Sequence, residues 1–95
     1  MTKAVHVHVT GTVQGVGYRQ GCRQVARASG LVGWVRNLVD GRVELFAQGD
    51  PDSVDHLLDW AWSGPRGAQV VAVETEVVAA DRTLTDFFIQ PSRRY

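Results

Sequence analysis

Residues 4–30, AVHVHVTGTVQGVGYRQGCRQVARASG, change their periodicity once along the chain, and that change decides the fold. Val5, Val7 and Val9 alternate with His6, His8 and Thr10, the period-two pattern of a strand with one buried face, over about residues 4–11. The segment GTVQGVGYR (residues 11–19) follows. Its glycines Gly11, Gly15 and Gly17 mark a loop whose backbone enters conformations unfavourable for other residues. Tyr18, Cys22, Val25, Ala26 and Ser29 then recur at spacings of three and four as a narrow apolar face. This predicts a helix over about 18–29, ended by Gly30 in the left-handed conformation. Gly21 inside that helix costs about 1 kcal/mol relative to Ala, which predicts a close approach to the sheet or to the glycine loop.

Outward from this unit, two strands are predicted at about 31–38 and 42–49. They are joined as an antiparallel pair through Leu38-Val39-Asp40-Gly41, where Asp-Gly is a strong hairpin signal. Asp50 offers a side-chain N-cap and Pro51 fits the first helical position. Val54, Leu57, Leu58 and Ala61 form an apolar stripe before Gly64-Pro65 stops the second helix, at about 51–63. A β-branched run from Gln69 to Val78 gives a fourth strand, and Leu84 to Gln90 a short fifth. The order is two βαβ units joined through a hairpin. It predicts an α+β, ferredoxin-like α/β sandwich: βαββαβ with a short extra C-terminal strand, an antiparallel sheet, and both helices on one face. That fold hosts unrelated functions, so the loops must decide.

Length and composition narrow the choice. Ninety-five residues, 44% hydrophobic and 21% charged, suit one domain spanning 1–95. Ten basic and ten acidic residues leave no net charge, which argues against a nucleic-acid binder. The charge is unevenly placed: residues 1–39 hold Lys3, Arg19, Arg23, Arg27 and Arg36 without one acid, whereas residues 40–95 hold five arginines and all ten acids. The N-terminal part suits an anion, although Arg23 and Arg27, four apart, also read as the wet stripe of a helix. No apolar run reaches the length of a signal peptide or membrane span, so a soluble, cytoplasmic protein without membrane contact is expected. The single cysteine, Cys22, excludes an intramolecular disulfide and reads as a core residue.

The glycine loop is the strongest chemical feature. Consecutive backbone N–H groups in such a turn form a concave nest, and the following helix N-terminus adds roughly half a positive charge, so the segment suits a phosphate-sized anion with Arg19 at its edge. On residues alone, a tight connection that needs glycine only for geometry stays equally open. The loop lacks the Lys-Ser/Thr ending of a Walker motif and the pattern of a dinucleotide fold. Cys22 lies after the loop rather than opening it, which disfavours a phosphocysteine mechanism. His6 and His8 share a strand face, but no third ligand is evident, so no metal site is expected. His56 lies among acids and reads as a solvated residue. Asn37, by itself, reads as a turn former at the end of a hairpin strand. Trp60 and Trp62 are expected to pack at the end of the second helix, and at least one of Phe87 and Phe88 in the core.

Two stretches taken together carry a resemblance. GTVQGVGYR, residues 11–19, resembles the first signature of the acylphosphatase family, and GWVRN (33–37) followed by DGRVELFAQG (40–49) resembles its second. The order, the spacing and the later acidic helix fit as well, so the likeness covers essentially the whole chain. It implies a metal-independent, cofactor-free hydrolase of small acyl phosphates, releasing a carboxylate and inorganic phosphate without a covalent phosphoenzyme. By that likeness, the backbone amides around Gln14, Gly15, Val16, Gly17 and Tyr18, together with Arg19, hold the phosphoryl group. The Asn37 side-chain amide orients the attacking water. A monomer acting alone is expected. The alternatives are an acylphosphatase-like accessory or phospho-ligand-binding domain, which the length disfavours, and an RNA-recognition module, for which the central strands lack the stacking aromatics.

Overall fold

The computed structural model describes residues 1–92; whether the tail Arg93-Arg94-Tyr95 docks near the loops lies outside the described residues. The elements run β1 (Lys3–Thr12), α1 (Tyr18–Ala28), β2 (Val32–Asn37), β3 (Val43–Gly49), α2 (Pro51–Ser63), β4 (Gln69–Val78) and β5 (Phe87–Ile89). They form one five-stranded sheet in the order β4-β1-β3-β2-β5, with β3 at its centre between β1 and β2. The valines of β1 explain why it is internal. Val5, Val7 and Val9 are fully buried beneath the helices, while His6 and His8 turn to the opposite, open face.

Both helices bury the faces their spacing predicts: Tyr18, Cys22 and Ala26 from α1, and Val54, Leu57 and Ala61 from α2. Two backbone bonds close α1, Gly30 N–H to Arg27 C=O at 3.1 Å and Leu31 N–H to Ala26 C=O at 2.9 Å, with buried Leu31 sealing the turn. Asp50 caps α2 by accepting a hydrogen bond from the Asp52 N–H at 3.0 Å. Gly21 owes its place to the partner helix rather than to the sheet or loop. A Cβ there would lie 2.7 Å from Cζ2 of Trp60 on α2, so the missing side chain lets the helices meet. Trp60 packs against Tyr18, with ring centroids 5.0 Å apart, whereas Trp62 is exposed. Phe87 is buried and Phe88 partly exposed.

The sheet is mixed rather than wholly antiparallel. Its four-strand body is antiparallel, but β5 pairs parallel to β2, with Gly33, Trp34 and Val35 opposite Phe87, Phe88 and Ile89. The reason lies in where β4 ends. Because β4 runs against β1, it finishes at the end of the sheet where β2 begins, and the chain crosses there before turning along the far edge. Gln48 on β3 holds that crossing: its amide donates to the Asp81 C=O and accepts from the Asp81 N–H, both at 2.7 Å. Arg27 on α1 holds the start of β5, through Nε to the Phe87 C=O at 3.0 Å and Nη2 to Asp86 at 3.1 Å. Of the two arginines expected on a wet stripe, Arg23 reaches, among the described residues, only Gln20, and Arg27 serves as this clasp.

Candidate active site

The loop that leaves β1 and enters α1 is built around two glycines in the left-handed region, Gly15 at φ +76° and Gly17 at φ +81°. A Cβ at either would meet nothing within 4 Å, so both are required by backbone conformation and not by space. Gly17 is the N-cap of α1 and, lacking a side chain, leaves the first helical N–H groups uncapped; no acidic residue occupies the first turn. The helix therefore presents its partial positive charge to a cleft of about 290 Å³. Val13, Gly15, Gly17, Tyr18, Arg19, Gln20 and Ile89 line it.

Arg19, the second residue of α1, is half-buried in that cleft. Arg27, Arg36 and Arg42 each pair with a carboxylate, but among the described residues none pairs with Arg19. A guanidinium beside uncapped N–H groups is free to fork onto the oxygens of an anion. Tyr18, at the first position of α1, is anchored by its side chain. Its side chain is buried and donates to the Ala61 C=O at 2.8 Å, and burial, with Cys22 beside it, raises its pKa well above the ordinary phenol value. Val16 packs against the core beneath the loop.

Gln14 has a role that its place between glycines does not announce. Its Nε2 donates to the Leu38 C=O at 2.7 Å and to the Arg42 C=O at 2.9 Å, spending both amide hydrogens on the turn between β2 and β3. The side chain is thus a brace from the loop to the hairpin, and it keeps no N–H to donate to an anion. No sequence signal identifies a contact that spans 24 and 28 positions. Across the turn itself, Leu38 N–H reaches the Arg42 C=O at 2.9 Å and Gly41 N–H the Leu38 C=O at 3.2 Å, as the Asp-Gly signal predicts.

Asn37 closes β2 at this same end of the sheet. It pairs with Val43, which pairs with Val9, so it lies on the helix-side face beside the end of β1 from which the loop departs. Its Oδ1 is buried with no hydrogen-bond partner among the described residues. An orphan acceptor of this kind costs about 1–3 kcal/mol, which marks a group kept for a ligand or a water. Asn37 does not line the cleft; it adjoins it through the turn that Gln14 braces. Cys22 takes no part: it is buried, and burial pushes its thiol up to about 12, so it carries no thiolate at neutral pH. Among the described residues, no helix is long and apolar enough to cross a membrane.

Comparison with known proteins agrees in sequence and in shape. The family model described as Acylphosphatase matches residues 5–89. An acylphosphatase of Methylococcus capsulatus is 49% identical over 87 residues, covering 92% of this chain and 95% of that protein. The structure of an acylphosphatase from Coxiella burnetii superposes with a TM-score of 0.90 at 40% identity, over 94% of this chain and 93% of that one. An acylphosphatase from Bacillus subtilis gives 0.89 at 29% identity, over 95% and 99%. A family model that spans residues 5–89, and relatives that match this ferredoxin-like chain over nearly their whole length, show that the chain belongs to the acylphosphatase family.

Proposed function

We propose that this chain hydrolyses the carboxyl–phosphate bond of small acyl phosphates, using Arg19 and the backbone N–H groups of residues 14–18 to hold the phosphoryl group and Asn37 to orient water. The observation that carries the reading is the uncapped N-terminus of α1 opening onto a cleft lined by Arg19, which pairs with no carboxylate among the described residues. The phosphoryl oxygens sit in the nest, where the amides and the guanidinium neutralise charge as it builds in the transition state. The buried Asn37 Oδ1 accepts a hydrogen bond from the water and aims its lone pair at phosphorus, opposite the departing carboxylate. The P–O bond to the acyl group breaks as the new P–O bond forms. The carboxylate leaves with the bonding pair, and the water proton passes to a phosphoryl oxygen.

An acyl phosphate already carries a good leaving group, so positioning and charge stabilisation suffice, and the mechanism uses no metal, cofactor or phosphoenzyme. The cradle reads the phosphoryl group common to the class, with inorganic phosphate as the product ligand. We also infer a cytoplasmic monomer: its single, buried thiol suits a reducing compartment, and its core closes within one chain. The test is release of carboxylate from a synthetic aromatic acyl phosphate with EDTA present. Undiminished turnover in chelator is expected; activity that appears only after a divalent ion is restored refutes the metal-free mechanism.

A further inference from the structure

The open face of the sheet carries a second cluster, turned away from the helices and the glycine cradle. His6 and His8 project from β1, and the β1–β3 register sets His8 opposite Glu44 and His6 opposite Phe46. The His6 Nε2 lies 2.6 Å from the Glu44 Oε2, and the His8 Nε2 lies 3.6 Å from the same oxygen. One ligand atom from each of the three lies within 4.8 Å of the others. The third group that the sequence does not reveal beside His6 and His8 is therefore Glu44, more than thirty positions away.

We propose that His6, His8 and Glu44 form a binding site for a divalent transition ion of the zinc class, tying β1 to β3. Two imidazoles and one carboxylate are the borderline donor set such ions take, and one that magnesium and calcium do not prefer. Bonds of about 2.0–2.1 Å in tetrahedral geometry set donor atoms about 3.3 Å apart; the 2.6 and 3.6 Å distances to Glu44 bracket that value, and the widest spacing, within 4.8 Å, closes by at most about 1.5 Å through rotation of the imidazoles. The carboxylate is already oriented from behind. Glu44 Oε1 accepts from Arg36 Nε at 2.6 Å, while Arg36 stacks over Trp34 at 4.5 Å and reaches Gln90, leaving Oε2 to face the imidazoles. Metal-bound carboxylates are characteristically held by such an outer partner.

The fourth position has donors at hand. Glu74 lies opposite His8 and Glu76 opposite His6 on the adjoining strand β4, and both line a cleft with the two histidines. Arg42, the other cation there, is paired with Asp40 at 2.9 Å. Three carboxylates facing two guanidiniums favour a cation. Binding breaks the His6–Glu44 hydrogen bond and moves the Nε2 proton to Nδ1 or to solvent. The site lies across the sheet from the phosphoryl cradle and does not depend on the proposed hydrolysis.

Zinc titration of the chelator-stripped full chain by calorimetry tests this, with His6→Gln, His8→Gln and His56→Gln variants in parallel. His8→Gln is the decisive variant, because His8 is partly exposed, among the described residues has the 3.6 Å approach to Glu44 as its one charged contact beside an edge-on packing against the His6 ring, and its loss leaves the Arg36–Glu44 pair intact. One zinc ion per chain is expected, weakened about tenfold or more in His6→Gln and His8→Gln and unchanged in His56→Gln, whose side chain lies on α2. A thermal midpoint raised by zinc in the wild type and not in His8→Gln is the accompanying result. No saturable uptake up to about 1 mM zinc, uptake undiminished in both β1 variants, or uptake abolished in His56→Gln overturns the proposal.

Discussion

Replacing Gln14 by Ala isolates the brace between the cradle and the hairpin. The amide makes two hydrogen bonds, to the Leu38 and Arg42 carbonyls. Both carbonyls keep a second donor without it, Gly41 N–H for the first and Leu38 N–H for the second, so Gln14→Ala leaves no buried acceptor orphaned. The loss is then the net worth of two hydrogen bonds, about 1–3 kcal/mol. At the middle of that range a domain of this size melts roughly 8–16 °C lower. The kinetic effect is separate. Arg19 and the backbone nest remain, so KM for an acyl phosphate changes little. Asn37, no longer held against the loop, loses registry with the phosphoryl group, and a displacement near 1 Å costs on the order of 10²-fold in kcat. Circular-dichroism melting and steady-state hydrolysis measured well below the new melting point separate the two effects. Arg23→Ala serves as the control, since among the described residues Arg23 reaches only the neighbouring exposed Gln20. A Gln14→Ala protein with wild-type melting and wild-type kcat refutes the brace. A raised KM at unchanged kcat assigns the side chain to substrate binding instead.

Two further substitutions probe the packing that carries the site. Gly21→Ala gains about 1 kcal/mol of helix propensity but drives a methyl group to 2.7 Å from Trp60, so a net loss of about 1–2 kcal/mol in urea unfolding is expected, with shifted tryptophan emission; a stabilised variant shows that α1 and α2 have room to separate. Cys22 is held protonated by burial, so a disulfide reagent at pH 8 reacts only after denaturation. Its folded pKa is raised above the unfolded value of about 8.5, so the associated stability is intact below that pH and declines as pH rises beyond it. Rapid labelling of the native protein contradicts this placement.

What the sequence makes legible is whatever is encoded locally. Asp50-Pro51 and Gly64 define α2 at 51–63, because a cap, a fixed φ and a stop act within a few residues of themselves. The β-branched run from Gln69 to Val78 likewise defines β4. The hairpin strands end slightly short of expectation, since Leu31 is used to seal α1 and Leu38 and Arg42 belong to the turn. The direction of β5 is not local: it depends on where the chain crosses the sheet, which the Gln48–Asp81 pair determines across 33 positions. The fifth strand also shrinks to Phe87–Ile89, because residues 81–84 are occupied by a turn in which Asp81 accepts from the Thr83 N–H and hydroxyl. At the site, the glycines and Arg19 are visible as a pattern, while the Gln14 brace and the orphaned Asn37 oxygen exist only after strand pairing brings the loop and hairpin together.

The most direct test of the account compares folded Arg19→Ala and Asn37→Ala with the wild-type chain, following carboxylate release from an aromatic acyl phosphate in EDTA. Arg19→Ala is predicted to lose nearly all binding and turnover, because the phosphoryl charge loses its fixed counter-charge and its fork of donors. Asn37→Ala is predicted to keep KM within a few-fold and lose on the order of 10²-fold or more in kcat. Wild-type kinetics in folded Arg19→Ala, or a raised KM at undiminished kcat in Asn37→Ala, contradicts the division of labour between cradle and water-orienting amide.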